Sequence, residues 1–214
     1  MNERIRETHP PYGSSAPALN SGDMLDHHEY VRRYASAPDK LKAERINGRV
    51  YLMKSLRAVT HGNPHALLSF WLSSYVMSHP DLVVSDNATV RLNDDNDPQP
   101  DLCMVRIGGQ THTDEAGYLN GPPELIVEIA GSSASYDFGE KQDVYENAGV
   151  GEYVVFETLN GRVEWWCHNG VRFIDSPRDS GRLKSLRFPG LWLDVGALQN
   201  ADRYRLIDTL QEGM

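Results

Sequence analysis

The sequence predicts an α/β protein: a mixed α+β sheet with helices packed on it and a C-terminal β-meander. Three observations predict it. Leu125 to Ala130 is a short, β-branched apolar run behind Gly121-Pro122-Pro123, the pattern of a strand inside a sheet. Stretches of helical period, each with cap or stop residues, stand on both sides of it. After it come three strand-like runs separated by Asn160-Gly161 and Asn169-Gly170, the turn signal of a meander.

Taken in order, residues 1–22 are polar, rich in Pro, Ser and Asn, and lack the apolar core of a signal peptide, so a disordered arm is expected. The globular domain is expected over 23–198, with a helical tail over 199–214. Asp26 and Glu29 have the spacing of a capping box, and Tyr30, Val31 and Tyr34 follow at helical period until Ala37-Pro38 stops the helix. His27 and His28 are neighbours on that helix and do not face one ligand, which predicts exposure. Leu41 to Ile46 and Arg49 to Lys54 flank Asn47-Gly48 and read as a hairpin. Asn63 and Pro64 fit an N-cap and first helical residue, and Leu67, Leu68, Trp71, Leu72, Tyr75 and Val76 form the buried stripe. His61 and His65 lie four apart at its start, a spacing zinc sites use, but no third ligand follows; capping or surface roles are expected.

Strands are expected at Leu82 to Ser85, Ala88 to Leu92 and Leu102 to Arg106, with the acidic Asn93 to Asp97 run as a solvated turn. Gly108 to Pro123 reads as a loop long enough to border a site. Asp137 and Glu140 repeat the capping-box spacing before a helix that runs to Ala148, where Gly149 takes the C-cap position. Strands at Glu152 to Thr158, Arg162 to His168 and Val171 to Ile174 make the meander. Trp165-Trp166 interrupts its alternation, leaving open which of the two faces the core. Leu186 to Val195, broken by Pro189-Gly190, leads into a short amphipathic helix near Ala201 to Leu210.

The net charge of −9 argues against a surface that grips nucleic acid everywhere, since such binding rests on phosphate neutralisation; a local basic groove stays open. No run of about 18 apolar residues is present to span a membrane. Cys103 and Cys167 match no metal spacing and are expected as reduced, buried thiols in a cytoplasmic protein.

The chemistry concentrates between Gln99 and Tyr153. Strand alternation puts Glu128 on one face with Ile126 and Ala130, and Leu125, Val127 and Ile129 on the other. A carboxylate so flanked is partly desolvated and needs a cation or donors. Lys141 falls in the first turn of its helix, where the dipole disfavours a cation, so some other partner selects it. If the strands carrying Asp101 and Glu128 are neighbours, the two carboxylates can share a hard divalent cation, Mg2+ or Mn2+ rather than zinc. With a lysine beside it, this set suits metal-assisted phosphodiester hydrolysis. Each residue also has a structural explanation: Asp101 as a turn residue, Glu128 as partner of a buried arginine, Lys141 as a solvated helix residue, Asp137 as a cap and Tyr145 as packing.

The ordered set Gln99-Pro100-Asp101-Leu102, Gly121 to Ile129, Ser132, Ser133, Ser135, Asp137, Lys141, Tyr145 and Gly149 to Tyr153 resembles the Uma-two family of restriction-endonuclease-like proteins, within the PD-(D/E)xK nuclease-like superfamily. The resemblance runs over roughly residues 27 to 195 and takes in Glu44 and a histidine before the second helix, matched by His61. It implies a restriction-endonuclease-like core, Asp101 and Glu128 as metal ligands, and Glu44 as a further acidic contributor. The superfamily's lysine two residues after the glutamate is replaced by Ala130; the family pattern moves it to the next helix, at Lys141. The expected protein is a magnesium-dependent endonuclease acting on DNA, as a homodimer by analogy with the superfamily. The alternatives are a non-cleaving metal- or nucleic-acid-binding module on the same fold and a hydrolase of small phosphate esters.

Overall fold

A computed structural model describes residues 16–38, 40–53 and 55–214. Of the arm expected over residues 1–22, residues 1–15 lie outside the described residues, as does Lys54 of the hairpin. Residues 16–22 are bonded to the hairpin: Gly22 N donates to Val50 O at 2.8 Å and Leu52 N to Ser21 Oγ at 2.9 Å, with Leu19 buried.

The chain begins with α1 (His27–Ala35), capped by the Asp26 carboxylate on Glu29 N, and a hairpin of β1 (Ala43–Ile46) and β2 (Arg49–Leu52). Asn47 and Gly48 both have positive φ, as a two-residue turn between twisted strands requires. Next comes α2 (Asn63–Val76). Asn63 is not its cap: a π-helical turn over Ala58–Gly62 precedes it, and Asn63 is already helical. β3 (Leu82–Asp86) follows, then β4 (Val90–Arg91), β5 (Leu102–Arg106), β6 (His112–Thr113) and β7 (Leu119–Asn120). The segment expected as loop from Gly108 to Pro123 therefore contains two short strands, which join β4 in a small separate sheet of order β4-β7-β6.

The centre is β8 (Leu125–Ala130), buried along its whole length. It leads through α3 (Ala134–Asp137) and α4 (Glu140–Ala148) to β9 (Glu152–Glu157), β10 (Arg162–His168) and β11 (Phe173–Asp175). β12 (Arg178–Asp179), β13 (Arg182–Lys184), β14 (Trp192–Asp194), α5 (Val195–Gln199) and α6 (Arg203–Gly213) complete the chain. The main sheet has the order β11-β10-β9-β8-β5-β3. β8 and β9 are parallel, joined by the helical crossover that parallel neighbours need, and the other pairs are antiparallel.

The alternation of β8 divides the interior as its sequence predicts. Leu125, Val127 and Ile129 join the larger core with α2, α5 and α6; Ile126 and Ala130 join a second one with Val144 and Tyr145 of α4. Trp165 belongs to the larger core, edge-on to Trp71, while Trp166 packs on the other side against Tyr153 and Phe138. Leu206 and Leu210 of α6 are fully buried against α2 and β14. Cys103 and Cys167 are free and buried. No helix among the described residues is long and apolar enough to cross a membrane.

Candidate functional site

Two neighbouring strands present the first two carboxylates. The β5–β8 register pairs Leu102 with Val127, so Asp101 and Glu128 stand at the next rung, on the same face of the sheet. Asp101 is held there by its neighbour strand: Oδ2 accepts from the buried Ile129 N–H at 2.7 Å. Its other oxygen, Oδ1, lies 2.9 Å from His61 Nε2. The π-helical turn carrying His61 is tied to the sheet by Thr158 Oγ1, which donates to Thr60 O at 2.8 Å. His65, stacked on His61, sets its Nε2 3.1 Å from Asp101 O and 2.9 Å from Asp86 Oδ1. Both histidines thus brace Asp101 and its strand, where local spacing had suggested capping or surface roles.

The hairpin brings the third carboxylate. Glu44 on β1 is 3% exposed, and its Oε2 accepts from Gln99 N at 3.3 Å. β1 is docked by Arg45, whose backbone exchanges two hydrogen bonds with Asp97 and whose guanidinium sits 2.8 Å from the Asp97 carboxylate. Asp97 is 1% exposed. The acidic turn is therefore not solvated throughout: its last aspartate is the buried counter-ion of Arg45, and His27, expected to be exposed, approaches it at 3.1 Å.

Lys141 closes the set. The crossover is broken at Gly139, where a Cβ would meet Ser135 O at 2.7 Å. This break ends α3 at Asp137 and restarts the helix at Glu140, so Asp137 is not the cap of α4. Glu140 forms no capping box either; its carboxylate accepts from Asn47 Nδ2 and Tyr51 OH, both at 3.0 Å, pinning the hairpin to α4. Lys141 then points inward and is 2% exposed, not solvated. Its Nζ lies 2.6 Å from Glu128 Oε1, 3.3 Å from Glu44 Oε2 and 4.0 Å from Asp137 Oδ1. Glu128 thus pairs with this lysine and, among the described residues, with no arginine. Tyr145, a packing residue by sequence, also donates its hydroxyl to Glu128 Oε1 at 2.9 Å.

Three carboxyl groups surround one ammonium, with Asp101 near Glu128, and the electrostatics record the imbalance. Burial, opposed by Lys141 and reinforced by Asp101, Asp137 and Glu44, pushes Glu128 up to about 8. Burial likewise raises Asp137 to about 6, against Lys141 and the Ser133 hydroxyl. Burial works against the Lys141 charge, but Glu128, Glu44 and Asp137 outweigh it and hold the ammonium well above its ordinary range. Two other buried glutamates show the contrast. Glu152 accepts from Trp165 Nε1, Ser185 Oγ and the N–H groups of Leu186 and Arg187, and Glu124 from Arg106 N; both are satisfied structural acids.

The set opens into a cavity of about 500 Å³ lined by Glu44, Asp101, Glu128, Asp137 and Lys141 among others. Its donors are oxygens, the chemistry that suits a hard divalent cation. Among the described residues no three His, Cys, Asp or Glu groups converge as a metal cage. Two carboxylates with water are what a magnesium ion accepts, so Asp101 and Glu128 fit such an ion in kind, and Glu128, raised to about 8, would hold it by giving up its proton.

Comparison with known proteins bears on the fold and the family. A solved structure titled as a "putative nuclease belonging to DUF820" from Anabaena variabilis superposes with a TM-score of 0.64 at 12% identity, covering 78% of this chain and 96% of that one. That likeness establishes the restriction-endonuclease-like fold. No curated protein matches the chain. The family model Uma2, described as "Putative restriction endonuclease", matches residues 28–196, and the chain belongs to that family.

Proposed function

We propose that the chain is a metal-assisted nuclease that hydrolyses DNA phosphodiester bonds, with Asp101 and Glu128 as the metal-holding carboxylates, Lys141 as the transition-state cation and Glu44 as its acidic support. The observation that carries this reading is the convergence of these four residues, from four separate elements of the chain, at one cavity. A hard divalent ion, magnesium or manganese, would supply charge neutralisation and Lewis acidity at the phosphoryl group.

The protein's own part follows from the contacts. Glu128 and Glu44 hold the Lys141 ammonium rigidly at the cavity floor, where it meets negative charge growing on the phosphoryl oxygens without reorganising. Ile129 N–H and His61 fix both oxygens of Asp101, so the carboxylate is oriented before substrate arrives. In the hydrolysis a water oxygen bonds to phosphorus, the bond from phosphorus to the leaving sugar oxygen breaks, and a water proton passes to that oxygen. Scission of both strands of a duplex would call for two such sites, hence a homodimer.

The net charge of −9 favours one other reading, a module on the same fold that binds metal or nucleic acid and cuts nothing. Nicking of supercoiled plasmid with magnesium or manganese decides between them. The parent is expected to nick, and Asp101→Ala and Glu128→Ala to abolish nicking. Unchanged activity in both variants would reject the site, and an inert parent would favour the binding module.

A further inference from the structure

The cavity's shape bears on the kind of strand it receives. At about 500 Å³ it has the size of a small-ligand pocket, and Glu44, Glu128 and Lys141 on its floor are only 3%, 4% and 2% exposed. Part of the lining is apolar and exposed: Leu56 is 59% exposed, Leu159 62% and Met53 38%. Lys42 and Arg57, both exposed, belong to the same lining. A phosphate inside a stacked duplex carries the helix with it, whereas this floor is nearly closed to solvent. An unpaired nucleotide meets each condition. Its phosphate can descend to the carboxylates, its base can lie on the aliphatic wall, and flanking phosphates can meet the two surface cations.

We propose that this cavity is a subsite for one unpaired nucleotide of a single-stranded DNA segment, seated over Asp101, Glu128 and Lys141 with its base against Met53, Leu56 and Leu159. This rests on the nuclease reading and narrows its substrate class; an unpaired strand needs one site, not two.

The test uses the full chain and three labelled oligonucleotides of one sequence: a single strand, a blunt duplex and a duplex with an unpaired tail. Binding is read by fluorescence anisotropy with chelator present, and cleavage by gel with manganese. The single strand and the tail are expected to be bound and cut about tenfold or more better than the duplex, reflecting the unstacking a duplex must undergo first. Leu56→Ser with Leu159→Ser should erase most of that difference in affinity; both side chains are exposed, so folding is retained. Equal or better binding and cutting of the blunt duplex would overturn the subsite and leave the nuclease reading standing. No cleavage of any substrate, with single-strand preference kept in binding, would overturn the nuclease reading and leave the subsite. Neither cleavage nor preference would overturn both.

Discussion

Replacing Glu128 by glutamine should make the protein more stable and inactive at once, with a gain that depends on pH in a way the site dictates. The amide of Glu128→Gln keeps the shape of the side chain and an acceptor for the Tyr145 hydroxyl, which lies 2.9 Å from Glu128 Oε1. Lys141 keeps Glu44 at 3.3 Å and Asp137 at 4.0 Å. What disappears is a carboxylate whose folded-state pKa is raised from its ordinary 4.5 to about 8, first by burial. A raised acid binds its proton more tightly when folded, so it costs nothing below the unfolded value. The cost grows as pH climbs from 4.5 to about 8 and is complete above that. At about 1.36 kcal/mol per pH step, the ceiling on the stability recovered by the amide is about 5 kcal/mol. Urea denaturation of parent and variant in chelator, compared across that pH range, measures the difference directly. Coincident curves near pH 4.5 that separate toward pH 8 are expected. A difference independent of pH, or a variant weaker than the parent above pH 8, would refute the idea that this site carries more negative charge than it can neutralise.

Removing the cation should do the reverse. Lys141→Met leaves Glu44, Glu128 and Asp137 buried without their counter-ion, and a loss of about 3–5 kcal/mol near neutral pH is expected from urea midpoints. The loss should shrink in acid as the carboxyl groups take up protons. Turnover should fall by about 10² or more in single-turnover assays, because the ammonium acts on the transition state. Arg45→Met strands Asp97, which is 1% exposed, and should also cost about 3–5 kcal/mol in thermal or urea melts. Asp101→Ala is not free of structural cost either: it removes the acceptor of the buried Ile129 N–H. About 1–3 kcal/mol should be lost, and Asp101→Asn less, by the same denaturation assay.

What could be read from the sequence, and what could not, follows from how far each signal reaches. The run Leu125–Ala130, its two faces and its odd glutamate were legible because strand alternation is written in adjacent residues. The hairpin turn at Asn47-Gly48 and the αL glycine at 149 were legible for the same reason. The roles of Asp97, Asp137, His61, Tyr145 and the burial of Lys141 were not, because their partners come from other elements. Arg45 meets Asp97 across 52 positions and Glu44 meets Gln99 across 55. At Asp137 and Glu140 the local signal misled: the capping-box spacing is present, but Gly139 breaks the helix and Glu140 serves the hairpin. The two positions that did point to the site were ones that broke a local rule. Glu128 is a charge in an apolar strand, and Lys141 is a cation at the positive end of a helix. Each violation is costly alone, and the 2.6 Å contact between them offsets part of each cost. Two side chains misplaced by local rules, each supplying the other's missing partner, are therefore a stronger pointer to a working site than either motif taken singly.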